Sequence, residues 1–181
     1  TLRKGEILGI GGLTDCGMHT LGRLIFGLDK ADSGEIRYKF TNMPVRNHIQ
    51  AIRAGVAYLP KNRDQQSIML MSSVRDNLCL PSLEKMQRIT FISHRKERQL
   101  AEEGAAKLNV KMDSIDQYCL YLSGGNKQKV ALSKWLIKDS EVFILDCPTR
   151  GIDVAVKASI YQLIQILKQN GKSIIMISEE L

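Results

Sequence analysis

Val142-Phe143-Ile144-Leu145 is an unbroken apolar run that ends on Asp146, and no other stretch narrows the fold more. A strand apolar on both alternating faces is buried on both sides, so it needs helices above and below it. Similar short runs occur at Ile7-Leu8-Gly9-Ile10, at Gly55-Val56-Ala57-Tyr58-Leu59-Pro60 and over residues 173–177. Helical patterns separate them: residues 20–28, a charged Ala-containing stretch over 93–108, an amphipathic segment opening at Leu122 with Val130, Leu132, Leu136 and Ile137 apolar, and 155–169 stopped by Asn170-Gly171. Strands alternating with helices predict an α/β fold whose sheet is largely parallel and flanked by helices. Residues 35–40 read as a short strand closed by a break at Asn42-Met43-Pro44, and Ser73 and Ser93 read as helix starts.

Composition adds limits. At 181 residues, 44% hydrophobic and 25% charged, the chain has material for a sizeable core. No apolar run approaches the roughly eighteen residues a membrane-spanning helix needs, and the start lacks the pattern of a signal peptide. Cys16, Cys79, Cys119 and Cys147 are scattered without a CxxC pair, which reads as free thiols in a reducing compartment and predicts a cytosolic protein. The net charge of +7 suits nucleic acid, a polyphosphate or an anionic membrane face alike. The cluster His94-Arg95-Lys96-Glu97-Arg98 has no interleaved aromatics and reads as a solvated helix face. The chain begins with Thr1, and its last strand-like run stops close to residue 181, so both ends read as cuts.

Three segments carry chemistry. Gly12-Leu13-Thr14-Asp15-Cys16-Gly17 follows a strand and precedes a helix, as a phosphate-binding loop does. Leu122-Ser123-Gly124-Gly125-Asn126-Lys127-Gln128 opens the amphipathic helix. Alone this is just a capped helix start, with Ser123 the cap. The strand ending in Asp146, followed by Pro148-Thr149-Arg150-Gly151-Ile152-Asp153, changes the reading, because parallel-sheet nucleotide enzymes hold magnesium at such a strand end.

Taken together, these motifs resemble the signature sequence, Walker B strand and D-loop of ABC ATPases. LSGGNKQ and PTRGID are similar to the second cassette of the tandem ATP-binding subunits of bacterial sugar importers of the ribose, galactose and autoinducer-2 type. The resemblance spans about residues 3–181 and includes KGEILGI, ADSGEI, GVAYLP and KSIIMIS. It implies a P-loop NTPase-like core at 1–71 and 122–181, truncated at both ends, with an incomplete antiparallel β portion at the N-terminus. A helical signature lobe at 72–121 is implied, with the signature helix starting at 122. It also implies ATP and Mg²⁺ as ligands, with Gly12 to Gly17, Met18, His19 and Thr20 at the nucleotide, Asp146 at the metal, and Gly151, Ile152 and Asp153 forming the D-loop. Family cassettes pair head to tail, so Leu122 to Gln128 would grip the terminal phosphate held by a partner. A serine-capped helix start with free glycine amides is a fitting anion receptor.

Against that pattern the chain departs at five positions. The phosphate loop should continue with Lys and then Ser or Thr, but Met18 and His19 follow Gly17. A cation at 18 would make hydrogen bonds worth roughly 1.5–3 kcal/mol each to phosphate. His19 offers nitrogen where Mg²⁺ wants a hydroxyl oxygen, Thr20 comes one residue late, and Asp15 adds a repelling carboxylate. Cys147 stands at the usual Glu, whose loss as a general base costs ~10²–10⁴ in rate. Lys61 stands where Gln or Glu is expected, and Glu179 where the switch histidine is expected. Lys61 is a candidate to replace the cation missing at Met18, while Met18 and Cys147 also read simply as packing residues and His19 as an ordinary polar loop residue. No catalytic set is intact.

The expectation is therefore an ABC transporter nucleotide-binding domain for sugar import, hydrolytically impaired at its own site, whose signature completes a second cassette's site. Its implied partners are that cassette, transmembrane permease subunits and a solute-binding protein, with no nucleic acid, and its place is the cytoplasmic face of the membrane. The competing readings are a soluble ABC ATPase acting on nucleic acid or ribosomes, and a pseudo-ATPase scaffold.

Overall fold

The computed structural model describes residues 1–13, 15–38, 43–88 and 91–179, with the backbone alone at 43, 44 and 88. In chain order the elements are β1 (Ile7–Gly11), α1 (Met18–Phe26), β2 (Arg37–Tyr38), β3 (Met43–Pro44), α2 (His48–Arg53), β4 (Val56–Leu59), α3 (Arg63–Gln66), α4 (Val74–Cys79) and α5 (Leu83–Met86). They continue with β5 (Gln87–Arg88), β6 (Phe91–Ile92), α6 (His94–Lys107), α7 (Gly124–Lys138), β7 (Val142–Asp146), α8 (Val154–Gln169) and β8 (Ser173–Ser178). The chain divides into two compact units, one of Thr1–Lys61, Ser140–Arg150 and Lys157–Leu181, the other of Asn62–Asp139 and Gly151–Val156. The resemblance implies boundaries at 71/72 and 121/122; the compact units divide at 61/62, 139/140, 150/151 and 156/157, so α7 groups with the helices before it.

The first unit is built on a four-stranded sheet in the order β1-β8-β7-β4, every pair parallel. Parallel neighbours need long crossovers, and this is why helices separate the strands in sequence. Phe143, Ile144 and Leu145 of β7 are buried, as are Val56, Ala57, Tyr58 and Leu59 of β4. Each large apolar side chain removed from water in this way contributes about 1.5–3 kcal/mol. Register places Asp146 beside Ile177, Leu59 beside Leu145 and Gly11 beside Ser178, so the carboxyl ends of all four strands gather at one rim. In open α/β sheets that rim is where ligands bind.

Helix α1 lies close on this sheet because Gly22 faces it: a Cβ there would come 2.7 Å from Ile177 Cδ1. Phe26, near the end of α1, stacks on Tyr58 with ring centroids 5.3 Å apart. The helix begins at Met18, two residues before the predicted start, directly after Gly17 in a left-handed conformation with φ 87. The expected break at Met43-Pro44 is instead half of a two-residue antiparallel pair with Arg37–Tyr38. Proline cannot donate a hydrogen bond to a ladder and is accommodated in a short edge strand of this kind. Phe40 and Asn42, and Leu181 at the end of the resemblance, lie outside the described residues.

The second unit packs α4, α6 and α7 around Val74, Leu78, Ala101, Ala105, Val130, Leu132 and Trp135, all buried. Three of its helices, α4, α6 and α7, start on side-chain caps as the sequence predicts. Ser73 and Asp76 form a reciprocal capping box on α4, Ser93 accepts from the Lys96 amide at α6, and Ser123 accepts from the Asn126 amide at α7. Gln87–Arg88 and Phe91–Ile92, within the implied helical lobe, form the β5–β6 antiparallel pair instead.

Candidate functional site

At the gathered strand ends of the first unit, four polar side chains from four different segments meet. His19 stands on the first turn of α1, Lys61 follows β4, Asp146 ends β7 and Glu179 follows β8. His19 Nδ1 lies 2.7 Å from Asp146 Oδ1, and its Nε2 lies 3.1 Å from Glu179 Oε1. Lys61 Nζ donates to Glu179 Oε1 at 2.5 Å and sits 3.2 Å from His19 Nε2. The Tyr58 hydroxyl donates to Asp146 Oδ2 at 3.4 Å. His19 is thus no ordinary loop residue: it bridges two carboxylates. Nor does Lys61 serve as a free cation in place of Met18, because its ammonium is bonded to Glu179.

The hydrogen-bond logic of the cluster is closed. A carboxylate only accepts, so the Nδ1 facing Asp146 carries a hydrogen. Nε2 then accepts from Lys61 when His19 is neutral and donates to Glu179 when it is charged; either form is satisfied. Bonds from Lys61 and then His19 hold the Glu179 carboxyl below its ordinary value. Burial pushes the Tyr58 hydroxyl up, with the Asp146 charge adding to it. Asp146 itself is only 1% exposed, and its two oxygens face His19 and Tyr58.

Cys147, next in the chain, holds φ 48, a left-handed backbone that side-chain-bearing residues seldom adopt. Its amide donates to Ile177 O at 2.9 Å and its carbonyl accepts from the Arg150 amide at 3.1 Å, which fixes the turn. Burial raises the thiol, and a hydrogen bond from the Glu179 backbone pulls it back part of the way. His19, Asp146 and Cys147 each bring one ligating atom to a group whose members lie within 4.8 Å of one another.

Magnesium, the metal the resemblance implies, does not fit this donor set. It requires near-octahedral oxygen at short distance. Here one Asp146 oxygen is taken by an imidazole nitrogen, the neighbours at 19 and 147 offer nitrogen and sulfur, and Lys61 brings a positive charge.

The phosphate loop keeps its backbone part and loses its side-chain part. Gly17 makes no side-chain cap, so the first amides of α1 are available to an anion. Met18 is buried, 4% exposed, and packs inward instead of presenting a cation. Asp15 is exposed at φ 67, Leu13, Cys16 and Thr20 are exposed, and Gly12 is half-buried. Thr14 lies outside the described residues. Tyr58 is the site residue that sequence reading assigned only to a strand; the available signal was a polar-tipped aromatic inside an otherwise apolar buried run.

In the second unit the other candidate segment is open. Ser123 is exposed, Gly124 half-buried and Gly125 buried. Ser123 Oγ accepts from the Asn126 amide at 3.4 Å and from Asn126 Nδ2 at 3.0 Å, while Asn126 Oδ1 accepts from the Lys111 amide at 2.9 Å. Lys127 pairs with Asp64 at 3.7 Å, and Leu122 and Gln128 are buried beneath the turn. Gly125 fits tightly: a Cβ there would lie 2.9 Å from Val156 Cγ2 and 3.5 Å from Asp153 Oδ2. Gly151, Ile152 and Asp153 share this unit, and Asp153 Oδ1 accepts from the Val156 amide at the start of α8.

Comparison with known proteins adds three findings. The family described as ABC transporter matches residues 1–150. The ribose import ATP-binding protein RbsA of Halalkalibacterium halodurans (strain ATCC BAA-125) is 41% identical over 181 residues, 100% of this chain and 36% of that protein. The protein of the same description from Bacillus cereus (strain ATCC 14579) is 39% identical over 180 residues, 99% of this chain and 36% of its own length. The chain therefore spans about a third of the length of these relatives. Among solved structures, the dimeric post-hydrolysis state of the ATP-binding cassette MJ0796 bound to ADP and Pi superposes with a TM-score of 0.84 at 22% identity, covering 99% of this chain and 77% of that one. This likeness establishes the fold, a parallel sheet flanked by helices.

Proposed function

This chain is a member of the ABC transporter family, and from that premise we propose that it is the hydrolytically silent cassette of a tandem sugar-import ATP-binding protein. Its signature helix start, Leu122 to Gln128, completes an ATP site whose phosphate loop belongs to a second cassette. Its own loop holds nucleotide weakly through the α1 amides and does not turn it over. Permease subunits hold the pair at the inner face of the membrane, and a solute-binding protein delivers the sugar.

One observation carries this reading. Where a cassette needs a metal oxygen, a general base and a phosphate donor, His19, Lys61, Asp146 and Glu179 bond to one another. A nucleotide there would have to break a satisfied network to gain contacts that lack the usual cation at 18. Ser123, by contrast, is exposed and needs only the approach of an anion. Names of relatives that import ribose support the sugar class.

The test compares two variants of the intact tandem protein assembled with its permease. Ser123→Arg blocks the receptor and lowers ATP turnover about 10²–10³-fold, the usual cost of removing an oriented anion donor. Met18→Lys with Cys147→Glu leaves turnover unchanged, because Lys61 and Glu179 still close the site. The reverse pattern, with Ser123→Arg silent and the double variant activating, would sink the proposal.

A further inference from the structure

The cluster that rejects magnesium has the donor set of a different metal. We propose that His19 Nδ1, Asp146 Oδ1 and Cys147 Sγ form a three-ligand site for a borderline-soft divalent ion of the zinc class, with Glu179 as the outer carboxylate that orients the histidine. The proposal goes beyond the transporter reading and needs neither nucleotide nor partner.

Ligand chemistry is the first support. One nitrogen, one oxygen and one sulfur, drawn from His, Asp and Cys, are zinc ligands, and zinc takes four-coordinate shells in which three protein ligands leave one position open. One ligating atom from each of the three residues already lies within 4.8 Å of the others. Nδ1 and Oδ1, now 2.7 Å apart, share a hydrogen. In a tetrahedral shell with bonds near 2.0 Å they would move apart to about 3.3 Å.

The second support is independent of the ligand atoms. Metal-bound histidines almost always donate their other ring N–H to a carboxylate, which sets tautomer and ring angle. Glu179 Oε1 stands 3.1 Å from His19 Nε2 for that purpose, and Lys61 Nζ at 2.5 Å holds Glu179 in place. Binding moves the imidazole hydrogen from Nδ1 to Nε2 and releases the thiol proton of Cys147 to solvent. Metal charge of +2 is then met by the Asp146 carboxylate and the Cys147 thiolate, while Lys61 and Glu179 cancel. Cys147 also occupies a strained turn at the sheet rim, φ 48, held by backbone bonds to Ile177 and Arg150. Left-handed backbone at a side-chain-bearing residue is a common mark of a functional position.

Cobalt(II) is the probe, because it substitutes for zinc and its spectrum reports both thiolate ligation and coordination number. The purified protein, reduced and in buffer with excess Mg²⁺, is titrated with Co²⁺ and then with Zn²⁺. We expect one equivalent to produce a thiolate-to-cobalt charge-transfer band with intense visible bands of four-coordination, displaced by Zn²⁺. Cys147→Ser removes the charge-transfer band, His19→Ala abolishes stoichiometric binding, and Glu179→Gln weakens binding about 10–100-fold, as loss of an outer-shell partner does. Cys16→Ser, the exposed thiol of the neighbouring loop, leaves the spectrum unchanged. No thiolate band in the unaltered protein, a band that survives Cys147→Ser, or one abolished by Mg²⁺ would overturn the proposal. None of these results depends on ATP turnover, so the site and the transporter reading can fail separately.

Discussion

The sheet rim of the first unit and the start of α7 in the second are both proposed to meet phosphate, and they have opposite hydrogen-bond economies. At the rim, His19, Lys61, Asp146 and Glu179 each have a partner of opposite sign or complementary geometry within 3.2 Å. At the start of α7, Ser123 is exposed and its Oγ bonds within its own turn. The difference teaches that a motif can decay in two ways. Lost donors that are replaced by mutually compensating ions yield a stable, self-contained cluster, whereas a helix start that keeps its serine and glycines stays ready for a ligand. The buried Asp146 needs a partner, which His19 supplies, and complementary charge and hydrogen bonding then tie Lys61 and Glu179 to His19.

Three measurements of stability sharpen that contrast, and the largest effect is expected from a buried charge away from both places. Lys134 on α7 donates to Ser67 O at 2.5 Å, and its ammonium lies 5.4 Å from the Trp135 ring centre. Burial lowers it from 10.5 to about 8. The folded protein releases this proton near pH 8 and the unfolded chain near 10.5, so between them the unfolded state binds more protons and stability rises with pH. The gain summed over that window is on the order of 3 kcal/mol. Urea denaturation of the native protein and Lys134→Met at both ends of the window checks this: the variant should lack the rise. A wild-type curve parallel to that of the variant would mean that the second unit carries no strained charge.

Next comes His19→Ala, which leaves the buried Asp146 without its 2.7 Å partner and should cost about 1–3 kcal/mol by urea denaturation. Adding Asp146→Asn should recover part of the loss, since a neutral amide is cheaper to leave half-satisfied. The smallest effect is Ser123→Ala, about 1 kcal/mol for a lost N-cap, with Ser123→Gly costing a few tenths. If His19→Ala proved no costlier than Ser123→Ala, the distinction between a closed rim and an open helix start would collapse.

Much of this was legible in residues. Val142 to Asp146 announced a buried strand because nothing polar interrupts it, and the register of β7 between β4 and β8 agrees. Ser73, Ser93 and Ser123 announced helix starts because a short hydroxyl side chain reaches the third amide ahead, which is local geometry. The strand read at 35–40 holds β2, but its partner Met43–Pro44 and the β5–β6 pair were missed because two-residue strands have no period to read. His19, Lys61, Asp146, Cys147 and Glu179 were each singled out from the sequence as departures from a motif. Their joining into one network was not legible, since partners separated by up to 160 positions carry no sign of one another.

Sequence by itself therefore determined the alternation of apolar strands with capped helices, the family, and the identity of the residues that depart from its motif, because these rest on interactions between near neighbours. Only the tertiary structure decided what those departures amount to. The parallel register brings four strand ends to one rim, where the buried Asp146 carboxylate is too costly to leave unpaired, and the half-exposed imidazole, ammonium and Glu179 carboxylate settle on it and on each other.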